Sequence, residues 1–237
     1  MDTNVLGGAL GFIRFLMKLK AMKTPNNDSD TLTGKRGWHA KDGIAPRLGK
    51  GSATVDPLRR TKDISAIKGV LSHRPRDFAL FVFGIHAGLR GGDLLSVRWS
   101  DILTPDGKAR DKIKILESKT KKCRVLTIQD NARESLTRWR DSTEHDLSGY
   151  VFPNSTGGRL TIQRLHQLVN EWASLGGVKG HFGSHTLRKT YGYHMRRAGV
   201  GIETLMKVFG HSSQSITLRY IGIEEDEIAE ANLKISL

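Results

Sequence analysis

The segment PRDFALFVFGIHAG, residues 75–88, constrains the fold more than any other stretch of the chain. Its apolar side chains cover a helical surface almost all the way round, and a helix that is apolar on every side must be buried by its neighbours. Pro75 suits the first turn, because its missing N–H has no partner there anyway, and Gly88 suits the end. The segment is therefore predicted to be the central buried helix of a single folded unit.

The rest of the chain supplies a wrapping for it. KDISAIKGVLSHR carries apolar residues at helical spacing, Ile64, Ile67, Val70 and Leu71. LRGGDLLSVRWSDI reads as a short helix running into a turn. Two short alternating runs, KIKILES and CRVLTI, with Lys119, Thr120, Lys121 and Lys122 between them or at their ends, predict a β-hairpin with a basic tip. DNARESLTRWRDST predicts a helix with Asp130 as N-cap. YVFPN reads as a short strand or connection, and TIQRLHQLVNEWASLG as an amphipathic helix ending at Gly176. SHTLRKTYGYHMRRAG follows, with Ser184 as N-cap and Gly199 as its stop. GIETLMKVFG and SSQSITLRYIG are two more helices. The tail EEDEIAEANLKISL begins acidic and has apolar residues at Ile228, Ala229, Ala231 and Leu233. The expected class is α+β, mostly helical, with one small sheet.

Lysine and arginine total 38 against 24 acidic residues, a formal charge of +14 over 237 residues. That excess suggests a polyanionic partner, with nucleic acid as the first candidate; a solvated basic surface or an anionic membrane would also account for it. The single cysteine, Cys123, excludes an intrachain disulfide framework and a multi-cysteine zinc site. No window approaches the roughly 18 consecutive apolar residues of a spanning helix. The opening MDTNVLGGALGFIRFLMKLK has Asp2 in place of a basic start, Arg14 within its apolar run and no cleavage site, so a short amphipathic helix is expected rather than a signal peptide. Residues 24–56 are rich in Gly, Asn, Asp, Ser, Thr and Lys and lack periodicity, as a flexible basic linker does. The chain thus divides into an N-terminal arm, 1–56, and a folded domain, 57–237, and a cytoplasmic location is expected.

Cutting a DNA phosphodiester without a metal needs a nucleophile, cations on the non-bridging oxygens and a proton donor for the leaving 5′-oxygen. Arginine suits the oxygens, since its planar fork donates two bonds at fixed geometry and stays charged. Lysine or histidine suits proton transfer. Tyrosine suits the nucleophile when the step must later reverse. Candidates exist for every role: Arg90 after HAGL, Lys119 on the hairpin, His185 and Arg188 in H-T-L-R, His211 after Gly210, and Tyr220 on the following helix. Taken singly, each has an ordinary structural explanation: a salt bridge from Arg90 to Asp93, a solvated lysine, a capping histidine, a core tyrosine like those expected at Tyr150, Tyr191 and Tyr193. The ordered set is far more specific than any member.

GLRGGDLLSVRWSDI, SHTLRKTYGYHMRRAG and LMKVFGHSSQSITLRYIGI resemble the tyrosine recombinase (phage integrase) family over roughly residues 57–237, through the pattern G-L-R-x-x-[ED]-L, H-x-x-R and L-G-H-x-x-x-x-T-x-x-Y. The resemblance implies the catalytic-domain fold of that family, with a small sheet and a C-terminal tyrosine-bearing helix. It implies that Arg90 and Arg188 clamp the scissile phosphate and that His185 and His211 hydrogen-bond it and assist proton movement. Lys119 would act as general acid, with Lys121 second in line, and Tyr220 would form a 3′-phosphotyrosine. Asp93 would support the site without reacting. No cofactor or metal is implied. The partner would be double-stranded DNA, bound by a protein monomeric in solution and tetrameric on DNA, with an accessory DNA-bending protein as a possible helper and no membrane involved. Bacterial or phage origin follows from the same likeness.

The chain departs from the family pattern in places. Phe209 stands where Leu is common. Gly91 and Gly92 follow the first arginine, where better helix formers are usual, and are expected to loosen Arg90. Relatives carry a helical core-binding domain ahead of the catalytic one, whereas here an arm of 56 residues precedes the fold, as in short stand-alone recombinases. The tail helix is expected to dock on a neighbouring subunit. Two rival readings share part of the pattern: a type IB topoisomerase-like strand transferase, and a non-catalytic DNA-binding relative.

Overall fold

The computed structural model describes residues 54–142 and 146–223, together with Leu233. The arm up to residue 53 and the tail from 224, Leu233 apart, lie outside the described residues, and with them the expectations of an amphipathic opening helix, a flexible linker and a docking tail.

The elements run in the order α1 (Thr61–Val70), α2 (Pro75–Ala87), α3 (Gly91–Leu94), α4 (Trp99–Ile102), β1 (Lys112–Leu116), β2 (Cys123–Thr127), α5 (Asp130–Asp141), α6 (Ile162–Leu175), α7 (Thr186–Arg197), α8 (Ile202–Phe209) and α9 (Gln214–Ile221). α2 is the central helix that its sequence demands. Pro75 opens it, Gly88 closes it in the left-handed conformation, and the residues from Ala79 to Ile85 are all buried. It packs chiefly against α5 and α7. Phe81 meets the edge of Trp172 from α6, ring centroids 6.0 Å apart. Burying Phe81 and Phe83 contributes about 1.5–3 kcal/mol each.

β1 and β2 pair antiparallel, Lys112 opposite Thr127 through Leu116 opposite Cys123. Ile113 and Ile115 of β1 and Leu126 of β2 turn into the core, while Leu116 and Val125 face outward, 67% and 59% exposed. A second, smaller core joins the last three helices through Tyr193, Leu205, Phe209, Ile221 and Ile223. α7 crosses this core at Gly192, where a Cβ would come within 2.5 Å of the Phe209 ring and 2.6 Å of Ile221. Glycine is what lets the tyrosine helix approach so closely.

Residues 54–60 have no regular secondary structure and tie into α7 and the segments on either side of it. Leu58 N–H donates to Thr190 Oγ1 at 2.8 Å, Asp56 N–H donates to the His181 carbonyl at 2.6 Å, and Arg59 donates to the Gly222 carbonyl beyond α9 at 3.0 Å. The first of these hydrogen bonds along the chain is made by Asp56.

Several local expectations need correction. Asp130 is the first residue of α5 and not its cap; its carboxylate pairs with Arg133 one turn on. Ser184 does not cap α7 either. His185 occupies that position, so it precedes the helix on which Arg188 sits. Val70 faces solvent at the end of α1, since Ile67 and Leu71 already fill the space beneath. Of the tyrosines read as core, Tyr193 is buried, Tyr191 is half-buried, and Tyr150 lies under the Arg98 guanidinium, 4.3 Å from its ring centroid.

Candidate active site

Four separate stretches of chain meet near the C-terminal end of α8. Gly210 ends that helix with φ 68°, a left-handed turn that returns the chain and sets His211 N–H on the Met206 carbonyl at 3.0 Å. The turn leaves the Phe209 carbonyl open, and two arginines take it. Arg90, at the start of α3, and Arg188, in α7, each donate one Nη2–H bond to this oxygen at 3.2 Å. Arg188 also donates to the Gly88 carbonyl at 2.5 Å and stacks over the Phe209 ring at 4.7 Å. The Phe209 substitution thus supplies an aromatic face where leucine would not.

Gly91 and Gly92 do not leave Arg90 loose. The guanidinium is held by Glu117 as well, Nη1 to Oε2 at 2.9 Å. A Cβ on Gly91 would lie 3.3 Å from Leu165, so the glycine lets the start of α3 sit close against α6.

Arg188 is 3% exposed. Burial, reinforced by the positive charges of Arg90 and Arg124, drops its pKa to about 10, with Tyr220 and Glu117 opposing. It remains charged at neutral pH.

The tyrosine helix α9 is capped by Ser213, whose side chain accepts from Ile216 N–H. It carries Tyr220 beside this cluster. Nδ1 of His185 is 3.2 Å from the Tyr220 hydroxyl, and the His211 ring meets the edge of the Tyr220 ring at 5.1 Å. The Thr217 hydroxyl donates to the Ser213 carbonyl at 3.1 Å, so in its 3.1 Å contact with His211 Nδ1 the ring must be the donor. In the neutral ring Nε2 is then left as an acceptor. Burial lowers both histidines' pKa, His185 further through Arg188, Lys189 and Arg90, and His211 through Arg188, Arg90 and Lys119. Burial raises Tyr220, with Arg188 and Arg90 pulling the other way.

Asp93 is 3% exposed and accepts both the N–H and the Oγ–H of Ser118, at 2.9 and 2.7 Å, so it fixes the turn that leads to Lys119. The Asp93–Arg90 salt bridge open from sequence is not formed; Glu117 takes that place. Lys119 is exposed in this turn, close enough for its charge to act on His211. Lys121 closes the turn in the left-handed region, φ 57°.

Two residues here went unnoticed in the sequence. Glu117 is one. Lys189 is the other, 4% exposed with Nζ 5.3 Å from the Tyr220 ring centroid. Burial lowers its pKa, partly offset by Asp56. A cavity of about 410 Å³ opens between Val55, His185, Lys189, Ile216 and Tyr220. A larger hollow of about 920 Å³ lies between Lys108 and Arg133 and contains none of these residues.

The arrangement is a phenol facing an imidazole beside two arginines, chemistry that can hold an anion next to a nucleophile. No group of three or more His, Cys, Asp or Glu among the described residues is arranged to hold a metal ion. No described helix is long and apolar enough to cross a membrane.

The chain is similar to several known proteins. Residues 61–227 match the phage integrase family. The probable integrase/recombinase YoeC of Bacillus subtilis (strain 168) is 36% identical over 176 residues, covering 73% of this chain and 92% of that protein. The tyrosine recombinase XerC of Actinobacillus pleuropneumoniae serotype 7 (strain AP76) is 27% identical over 164 residues, 67% of this chain but only 52% of that protein. Among solved structures, XerA recombinase superposes with a TM-score of 0.62 at 18% identity, over 80% of this chain and 67% of that one. A λ integrase tetramer bound to a Holliday junction superposes with a TM-score of 0.54 at 16% identity, over 73% and 50%. These superpositions show the catalytic-domain fold, and the family match together with YoeC shows the lineage. The chain belongs to the phage integrase family, the tyrosine recombinases.

Proposed function

We propose that this protein is a site-specific DNA recombinase that breaks and rejoins strands through a 3′-phosphotyrosine. Tyr220 Oη attacks the scissile phosphorus, the bond to the 5′-oxygen breaks, and Lys119 supplies the proton that the leaving oxygen takes up. His185 receives the tyrosine proton. Arg90 and Arg188 hold the non-bridging oxygens, where charge accumulates in the transition state. An arriving phosphate also counters the cations that depress His211, which favours its protonated, donating form. Asp93 supports the turn that carries Lys119. In the second half-reaction a partner strand's 5′-hydroxyl attacks the phosphotyrosine and frees Tyr220. The bond energy is conserved throughout, so neither metal nor ATP is required.

The observation that carries this reading is the 3.2 Å approach of His185 to the Tyr220 hydroxyl, beside two arginines that share one carbonyl. The match over most of YoeC, a probable integrase/recombinase, supports it. By likeness to the λ integrase tetramer on a Holliday junction, four subunits act together on double-stranded DNA. The protein is monomeric when free, and a DNA-bending accessory protein assists assembly. Residues 1–56 form an arm ahead of a catalytic domain over 57–237.

The test is adduct formation in EDTA on nicked duplexes carrying the ends of the element that encodes the protein. A covalent protein–DNA band that disappears with Tyr220→Phe is expected. Binding to the same DNA without any adduct would favour a non-catalytic DNA-binding protein. Relaxation of supercoiled plasmid by a monomer, without strand exchange, would favour a topoisomerase-like activity.

A further inference from the structure

The turn that carries Lys119 is pinned on both flanks by buried carboxylates. On one side Asp93 holds Ser118 by two bonds to one oxygen. On the other, Glu117 Oε2 accepts from Thr120 Oγ1 at 2.8 Å, and the same oxygen accepts from Arg90 Nη1 at 2.9 Å. The backbone closes the turn through Lys121 N–H to the Glu117 carbonyl at 2.9 Å and Glu117 N–H to the Lys122 carbonyl at 3.0 Å. Between these anchors Lys119 itself makes no hydrogen bond or ion pair among the described residues.

We propose that Glu117 is a positioning residue that couples the Arg90 guanidinium to the Lys119 turn, so that neither shifts without the other. The proposal rests on the reading of Arg90 and Lys119 given above and deepens it. A carboxylate 7% exposed keeps its charge only while a cation and hydrogen-bond donors face it. Arg90 is that cation and Thr120 is the other donor. Without Arg90, the Glu117 carboxylate must turn to solvent or take up a proton, and either change weakens the bond to Thr120. A purely stabilising role fits less well, because a buried ion pair stabilises little compared with an apolar pair of the same shape. Arg90 uses only two of its N–H donors on Glu117 and Phe209, which leaves others for a phosphate. A phosphate that draws on Arg90 therefore acts through Glu117 on the turn presenting the proton donor.

Hydrogen exchange on the full chain without DNA tests the coupling directly. Arg90→Ala and Glu117→Ala should each speed exchange of the turn amides between 117 and 122 by about tenfold, the scale of one lost hydrogen bond. The double variant should exchange no faster than either single one, since both remove the same link. Arg188→Ala should leave the turn unchanged, and protection in α2 serves as the folding control. Glu117→Gln keeps the shape and the Thr120 bond, and in that background Arg90→Ala should add nothing. Unchanged turn exchange in Arg90→Ala, with α2 still protected, overturns the proposal.

Cleavage gives the second measurement, using DNA with sulfur in place of the bridging 5′-oxygen. The P–S bond then breaks to release a thiolate that needs no proton. The Lys119→Ala defect should vanish on this substrate, and the Glu117→Ala defect should shrink about tenfold while the Arg90→Ala defect persists. A Glu117→Ala defect of equal size on both substrates would show that Lys119 is not reached through Glu117. Wild-type protein that forms no adduct on either substrate would sink the functional reading, while the exchange result would still decide whether Glu117 couples the two groups.

Discussion

Nδ1 of His185 lies 3.2 Å from the hydroxyl of Tyr220. Burial pushes the phenol's pKa up and the imidazole's down, and the neighbouring cations lower the imidazole further. At neutral pH the pair is therefore a protonated phenol facing an uncharged base, the polarity that an attack by Tyr220 needs. His185→Ala should slow single-turnover adduct formation at pH 7 by about 10²-fold or more. The deficit should narrow as pH rises toward the tyrosine's own ionisation. A rate–pH profile of the two proteins checks this, and a deficit constant across pH would remove His185 as the base.

The same shifts set the acid side of the stability curve. His86, His185 and His211 all have pKa values lowered by burial from 6.5. Between their folded values and 6.5 the unfolded chain binds more protons than the folded one, so stability rises with pH through that interval. It should be fully present above about pH 6.5 and decline below it. Thermal melts from pH 5 to 8 should show a plateau at the upper end and a falling Tm at the lower. His86→Asn should flatten the decline without affecting adduct formation, because His86 sits against Asn131 and near His194, outside the Tyr220 cluster.

Lys119 and Lys121 are the same residue type two positions apart in the sequence, but the backbone separates them. Lys121 occupies φ 57°, a conformation that costs an L-residue about 1–2 kcal/mol. Lys121→Gly should raise stability by up to about 1 kcal/mol and leave cleavage intact. Lys119→Ala should leave stability unchanged and slow cleavage by about 10²-fold, as loss of a general acid does. Paired denaturant melts and adduct assays separate the two. The reverse pattern would move the proton donor to Lys121.

Much of this was legible in the sequence because it is local. Pro75 and Gly88 bracket α2 as expected, β1 alternates in burial along its length, and the amphipathic α6 ends at Gly176. The motif residues could be found by type and order. What could not be read was pairing between distant segments. Nothing near Glu117 announces that it, and not Asp93, faces Arg90, because α3 and the hairpin turn meet only in the fold. Lys189 was hidden for the opposite reason: a lysine beside an arginine reads as part of a solvated basic face, and only the fold brings it against the Tyr220 ring, beside Val55 and near Asp56. Cap positions failed by a single residue at Asp130 and Ser184, where several polar side chains compete for one helix start.

Arg90 and Arg188 converge on a carbonyl, which carries only a partial charge, and the one carboxylate at hand among the described residues, Glu117, pairs with Arg90, so the cluster keeps an excess of positive charge that an anion would relieve. Phosphate or sulfate should therefore raise Tm specifically, by linkage approaching about 2.7 kcal/mol at roughly a hundredfold excess over Kd. Both anions also strengthen folding generally by exclusion from the surface. The informative quantity is the increment over Arg90→Ala, which should keep the general effect and lose the specific one. Equal increments in the two proteins would mean that the arginines hold no anion in the absence of DNA.

Gly192 offers a test of how the second core sets the nucleophile. A Cβ there would sit 2.5 Å from Phe209 Cζ and 2.6 Å from Ile221 Cγ2, closer than carbon atoms approach. Phe209 supplies the carbonyl between the arginines, and Ile221 follows Tyr220 directly. Gly192→Ala must therefore push α8 and α9 away from α7, moving the shared carbonyl and the tyrosine together. Overpacking of this kind costs about 1–3 kcal/mol, partly offset by alanine's better helix propensity. The effect on chemistry should exceed the effect on stability, because a displacement of about 1 Å can cost about 10²-fold in rate. DNA binding, carried largely by phosphate contacts elsewhere, should hardly change. Urea melts, gel-shift titrations and single-turnover adduct rates on one preparation distinguish these outcomes. A variant that loses stability but cleaves at the wild-type rate would show that Tyr220 reaches the phosphate independently of how closely α7 and α9 pack.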